Sequence, residues 1–251
     1  MPQTQRMTKR QKRVLKQEGV LDEQGKLTST GLRIDPHIKP ITENQTRAFT
    51  SWGFGNHLVL HGMPGTGKTF VALRLALGDA LDNNRNETKK VHIIRSAVTG
   101  RDQGFMPGSA QQKMRYFEGP YLGICSKLFG RGDAYDVLKN KQILTFQSTS
   151  FLRGETFDDC VIIVDECQNM SDQELHTIMT RVGENCKIIF SGDVKQDDLT
   201  SERKKEMSGL RDFLNILRRM KEFDFVEFDV NDIVRSDIVK SYIIERDKLG
   251  M

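Results

Sequence analysis

The chain has 251 residues, of which 37% are hydrophobic and 29% charged, and a formal net charge of +4. That composition is ordinary for a globular protein and excludes collagen-like, mucin-like and wholly disordered classes. The length exceeds one minimal domain and falls short of two average ones, so a single large α/β unit with extensions is expected. No run approaches the ~18 apolar residues of a transmembrane helix. The N-terminal stretch MPQTQRMTKRQKRVLKQEG also lacks the apolar segment of a signal peptide. The expectation is a cytoplasmic protein with no membrane partner. Cys125, Cys160, Cys167 and Cys186 are spaced neither as zinc-ligand pairs nor as a disulfide framework. They read as reduced, mostly buried thiols.

Residues 1–38 form a polar, basic extension in which Arg6, Lys9, Arg10, Lys12, Arg13 and Lys16 all precede the first acidic residue, Glu18. Two readings stand: an arm that contacts nucleic-acid phosphates, or a solvated tail. Residues 39–251 read as the folded domain. Residues 57–61 form a short apolar-biased run, and after a glycine-rich segment residues 70–77 have the pattern of a helix ended near Gly78. Residues 91–94, 142–146, 161–164 and 187–190 read as further strands, with the continuous β-rich character of parallel strands buried on both faces. Helices are expected over 172–182, with Ser171 as N-cap, and over 210–221. This alternation predicts an α/β fold: a parallel sheet with helices on both faces. Residues 97–140, rich in glycine with scattered aromatics, read as a long insertion beyond the sheet.

Gly62-Met63-Pro64-Gly65-Thr66-Gly67-Lys68-Thr69 matches G-x-x-x-x-G-K-[ST] and lies between a strand and a helix. Glycines let consecutive backbone N–H groups converge on phosphate oxygens, and the helix N-terminus adds positive potential. Lys68 is expected to reach the β and γ phosphates of ATP, and Thr69 to hold Mg²⁺. The 161–164 strand then delivers Asp165 and Glu166. Asp165 can accept from the water shell of Mg²⁺, and Glu166, pointing the other way, can polarise a water for attack on the γ phosphate. Ser191-Gly192-Asp193-Val194-Lys195-Gln196 leaves the 187–190 strand on the same sheet edge. Gln196 is expected to sense the γ phosphate, with Asp193 supporting it.

With these motifs, five further segments carry a resemblance: Lys39-Pro40-Ile41-Thr42-Glu43-Asn44-Gln45, the 95–108 stretch, Phe151-Leu152-Arg153-Gly154, Asp165-Glu166-Cys167-Gln168-Asn169, and Asp232-Ile233-Val234-Arg235. Together they resemble the PhoH-like family of P-loop ATPases, whose core is similar to the first RecA-like domain of superfamily 1 helicases. The likeness covers about residues 39–245. The short chain looks like the compact versions encoded by bacteriophages, which would place it in the host cytoplasm.

The resemblance implies that Gln45 reads the adenine edge, that Arg153 contacts nucleotide or nucleic acid, and that Arg235 meets the γ phosphate within one chain or from a neighbour. With no second motor domain to supply that arginine, it further implies a ring-like homo-oligomer, hexameric by analogy. Three departures stand out: Ser96 follows Arg95 where the family has proline, Cys167 replaces the usual alanine, and Ser236 replaces a common histidine.

Lys113, Arg115, Lys127 and Arg131 lie among Phe105, Tyr116, Phe117, Tyr121 and Phe129. Basic groups could follow a single-stranded backbone while aromatics stack bases; alternatively the aromatics form a satellite core or a subunit interface. The sequence therefore reads as a Mg²⁺-dependent, helicase-like ATPase acting on RNA or single-stranded nucleic acid. The alternatives are an ATP-gated oligomeric RNA-binding or adaptor module with little turnover that works with a partner nuclease, or a phosphotransferase.

Overall fold

The computed structural model describes residues 31–82, 89–96, 110–149, 152, 154, 156–193 and 205–249. Six strands form one sheet: β1 (His57–Gly62), β2 (Lys90–Arg95), β3 (Leu144–Ser148), β4 (Cys160–Asp165), β5 (Lys187–Ser191) and β6 (Phe223–Phe228). Their order across the sheet is β3-β2-β4-β5-β1-β6, and every pairing is parallel. The helices are α1 (Glu43–Gly53), α2 (Lys68–Ala80), α3 (Ala110–Phe129), α4 (Ala134–Asn140), α5 (Asp172–Met179), α6 (Lys205–Arg218) and α7 (Asp237–Lys248).

Strand side chains alternate between two cores. Leu58, Leu60, Ile93, Val161 and Ile163 enter one, where α1 to α4 supply Trp52, Leu73, Leu77, Tyr121 and Leu138. Val59, Ile94, Ile162, Val164 and Phe190 enter the other, against Leu175 and Ile178 of α5 and Leu210, Leu214 and Leu217 of α6. Strands with helices on both faces need no polar side, which is why β4, Cys-Val-Ile-Ile-Val-Asp, is buried at every position. The expected fold class is thus the observed one.

Three regions differ from expectation or add to it. The part of 97–140 that the structure describes is α3 and α4, which lie in the chain between β2 and β3, and Tyr121, Cys125, Leu128, Tyr135 and Leu138 from them are wholly or almost wholly buried in the first core. Pro120 sits inside α3; although proline removes a helix hydrogen bond, the helix is held by this packing and by Glu118, whose carboxylate accepts from Lys139 Nζ of α4 at 2.9 Å on both oxygens. Leu32 is likewise core, and Asp35 N–H donates to the Leu128 carbonyl at 2.7 Å, so 31–38 is packed on the domain. The strand β6, absent from the sequence reading, pairs with β1 along its whole length. The basic residues of the first thirty positions lie outside the described residues.

The cysteines are all free thiols; Cys125, Cys160 and Cys167 are buried and Cys186 half-buried. Burial holds the Cys125 thiol up at about 12, away from thiolate chemistry. Among the described residues no helix is long and apolar enough to cross a membrane.

Candidate nucleotide-binding site

The sheet's C-terminal edge gathers the predicted motifs. β5 lies between β1 and β4, with Leu60 level with Ser191 and Val164 level with Phe190, so the loop after β1 and the carboxylates ending β4 flank the turn after β5. Ligands of open parallel sheets bind at such an edge.

The phosphate loop is shaped by its own contacts. Gly62 has φ +112° and a β-carbon there would stand 2.2 Å from the Phe228 carbonyl oxygen, so only glycine lets the loop leave β1 beside the end of β6. Thr66 Oγ1 donates to the Met63 carbonyl at 2.9 Å, closing the loop over exposed Pro64. α2 starts at Lys68 with Gly67 as N-cap, no side-chain cap and no acidic residue in its first turn. Its free N–H groups and helix dipole are thereby left for an anion. Lys68, 6% exposed, folds back so that Nζ donates to the Met63 carbonyl at 2.5 Å and pairs with Asp193 Oδ1 at 2.8 Å.

Asp165 is 2% exposed. Its Oδ1 accepts from Thr69 Oγ1 at 2.9 Å and its Oδ2 from the Tyr121 hydroxyl at 2.8 Å. Glu166 has φ +54°, a left-handed conformation unusual for a side chain of this size. Its Oε2 accepts from Gln168 Nε2 at 2.6 Å, and Gln168 Oε1 accepts from Asp193 N–H at 3.1 Å. Burial, followed by the charge of Asp165, raises the Glu166 carboxyl above the ordinary glutamate value. A chain of contacts therefore runs from Lys68 through Asp193 and Gln168 to Glu166.

The oxygens of Thr69 and Asp165 fit Mg²⁺: they are hard donors already within hydrogen-bond distance of one another. No group of three or more His, Cys, Asp or Glu side chains suited to a metal occurs among the described residues. The donor set matches an ion completed by substrate phosphates and water rather than an all-protein cage.

Gln45 is 6% exposed. Its Oε1 accepts from Ile41 N–H at 3.0 Å, and its Nε2 lies 3.8 Å from where a Gly67 β-carbon would be. Arg235 is placed against the phosphate loop of its own chain: Val234 N–H donates to the Gly65 carbonyl at 3.2 Å, and a Gly65 β-carbon would stand 3.2 Å from Arg235 Cγ. Gln196 and Arg153 lie outside the described residues.

Sequence reasoning missed four contributors. Tyr121 had been grouped with base-stacking aromatics, yet it is fully buried on Asp165. Phe129 is also core, Arg131 is held by Asp133 at 2.7 Å, and Arg115 lies 3.8 Å from Asp136; Phe105 and the Lys113 side chain lie outside the described residues. Gln168 and Asp232 were seen only as parts of motifs. Asp232, 1% exposed, accepts from Thr42 Oγ1, from Asn44 Nδ2 at 2.8 Å and from Asp229 N–H at 2.9 Å, tying the start of α1 to the strap that carries Arg235. Arg95 stands level with Asp165 in the sheet and over the Phe117 ring at 5.9 Å. Arg95 too was seen only as the head of the 95–108 segment, with no role given to it.

A parallel sheet with one strand between the phosphate-loop strand and the strand bearing the carboxylates, and a glycine loop at the head of α2, defines a RecA-like P-loop nucleotide-binding domain. The model of the family described as PhoH-like protein matches residues 37–245, and the chain belongs to that family. It is 33% identical over 188 residues to the PhoH-like protein of Bacillus subtilis strain 168, covering 74% of this chain and 57% of that one. With the PhoH-like protein of Mycobacterium leprae strain TN it shares 31% identity over 229 residues, covering 88% and 63%. The chain thus spans about three fifths of the length of these curated relatives. Among solved structures it is similar to the large terminase of a thermophilic bacteriophage, with a TM-score of 0.49 at 13% identity over 81% of this chain and 50% of that one.

Proposed function

We propose that this domain hydrolyses ATP in a Mg²⁺-dependent reaction that is coupled to RNA or single-stranded nucleic acid. The observation that carries the reading is the Thr69–Asp165 contact at 2.9 Å, which joins the phosphate loop to the carboxylate strand across an intervening strand. Mg²⁺ bound beside Thr69 and Asp165 would neutralise phosphate charge. Lys68, released from Asp193, binds the β and γ phosphate oxygens together with the N–H groups at the head of α2. Glu166 accepts a proton from the attacking water as the new O–P bond forms and the bond to the β-phosphate oxygen breaks. The raised Glu166 carboxyl suits that task, because a stronger base takes the proton more readily. Gln196 senses the γ phosphate, Arg153 contacts nucleotide or nucleic acid, and Arg235, beside Gly65, offsets charge in the transition state. Gln45 reads adenine through its amide, which can both donate and accept.

Nucleic acid is assigned to the exposed side of α3, where Arg115, Tyr116 and Lys127 face solvent. A homo-oligomeric ring, hexameric by family analogy, and a partner nuclease remain part of this reading, as does a site of action in the cytoplasm. A second reading is an ATP-gated binding module with little turnover. It is favoured by one observation: Lys68 and Glu166 are both engaged within the Lys68–Asp193–Gln168–Glu166 chain and must be released before hydrolysis. Phosphate release with and without single-stranded RNA separates the two. Stimulation by RNA supports the coupled ATPase; nucleotide-dependent RNA binding without turnover supports the module. Light scattering with and without ATP tests the ring, and a monomer under both conditions would rule it out.

A further inference from the structure

We propose that Tyr121 is a positioning residue for the metal carboxylate: its hydroxyl fixes the orientation of Asp165 and makes the metal response of the site depend on α3. The inference rests on the Mg²⁺-dependent nucleotide reading above. An aspartate side chain has a broad torsional preference about its last bond, so a carboxylate at a strand end needs outside contacts to hold one orientation. Asp165 has one on each oxygen: Thr69 Oγ1 on Oδ1 at 2.9 Å and the Tyr121 hydroxyl on Oδ2 at 2.8 Å. Thr69 belongs to the phosphate loop and would turn toward the ion with it. Tyr121 belongs to α3 and stays outside that shell.

Tyr121 is fully buried, and its ring packs on Phe146 of β3 with centroids 5.5 Å apart. Phenylalanine would fill that space equally well. The hydroxyl is therefore explained by what it donates to, and a hydrogen bond donated to an ionised carboxylate is stronger than one between neutral groups. Arg95, level with Asp165 in the sheet, stands beside the same hydroxyl. The aspartate would then offer Oδ1 to Mg²⁺ or its water shell while Oδ2 stays anchored to the helical layer. Groups that orient a metal ligand in this way typically contribute about 10- to 100-fold in metal affinity.

The test is the Mg²⁺ dependence of binding, read without turnover. Affinity for adenylyl imidodiphosphate, a non-hydrolysable ATP analogue, is measured by calorimetry in EDTA and across a Mg²⁺ titration for the full chain, Tyr121→Phe and Tyr135→Phe. Tyr135 is another buried tyrosine of the same core, on α4. The expected result for Tyr121→Phe is metal-free affinity within about two-fold of the parent and a half-saturating Mg²⁺ concentration about ten-fold higher, with Tyr135→Phe unchanged. An unaltered Mg²⁺ response in Tyr121→Phe would overturn the assignment and reduce Tyr121 to packing. Equal loss of affinity with and without Mg²⁺ would also overturn it. If the parent chain itself showed no Mg²⁺ effect on analogue binding, the Mg²⁺ reading would fall and the role of Tyr121 with it.

Discussion

Lys68 Nζ and Asp193 Oδ1 stand 2.8 Å apart, joining the phosphate loop to the end of β5. The ammonium is almost fully buried while the carboxylate is 43% exposed, so Asp193 occupies Lys68 and brings negative charge to the place where phosphate must sit. Asp193→Asn is expected to tighten metal-free ADP binding about two- to five-fold, in line with up to about 1 kcal/mol for a half-exposed pair. Calorimetry checks this, and unchanged or weaker binding would mean that Asp193 does not compete with phosphate.

Gly62 leaves no room for a side chain against the backbone of β6. Gly62→Ala would drive a β-carbon to 2.2 Å from the Phe228 carbonyl oxygen at a positive φ. A loss of at least about 2 kcal/mol in urea unfolding is expected, from parting of β1 and β6 at their C-terminal ends. A wild-type midpoint would show that this approach is not tight.

Gln45 and Asp232 are expected to have separable effects: in the proposed function Gln45 reads adenine, whereas Asp232 ties the start of α1 to the Arg235 strap. Gln45→Ala is expected to leave the fold intact and abolish the preference for ATP over GTP in competition binding. Asp232→Ala removes the acceptor of Thr42, Asn44 and the Asp229 N–H. It should cost about 2 kcal/mol of stability as well as affinity, since both the start of α1 and the Arg235 strap lose their tie. A Gln45→Ala protein that still discriminates ATP from GTP would remove Gln45 from adenine reading.

Glu174 gives the acid side of the stability profile a specific contributor. Burial raises its carboxyl, but hydrogen bonds from Thr149, Ser171 and Ser96 outweigh this and hold it below the ordinary glutamate value. A depressed folded value means that the stabilisation is present at neutral pH and is lost as pH falls through that value. Glu174→Gln should lower the melting temperature at pH 7 and narrow its difference from wild type in acid. A constant difference across pH would assign the effect to packing of the side chain rather than to ionisation of Glu174.

The phosphate loop, the paired carboxylates and the strands from β1 to β5 were legible because each is a local pattern: glycines at fixed offsets, or a continuous apolar run. β6 was not, because Phe-Asp-Phe-Val-Glu-Phe places acidic side chains in a strand at the sheet margin, where only part of it is buried. α3 was not, because Gly119-Pro120 reads as a break and only the contacts of Tyr121, Cys125 and Leu128 with the sheet outweigh it. For the same reason Tyr121 could not be read as a partner of Asp165: the two meet through packing of α3 on the sheet, which no spacing encodes. Nor was the burial of Gln45 legible, since its side chain turns back to accept from the Ile41 N–H and lies beside Gly67, a placement that no spacing encodes.

The most direct test of the central claim is phosphate release from ATP and Mg²⁺ by the purified chain, beside Lys68→Ala and Glu166→Gln. Turnover is expected in the parent, stimulated by single-stranded RNA and reduced at least about 100-fold by either substitution, with Glu166→Gln still binding ATP and Lys68→Ala not. ATP binding without turnover in the parent, or turnover that survives Glu166→Gln, would contradict the assignment of this site as a hydrolytic centre.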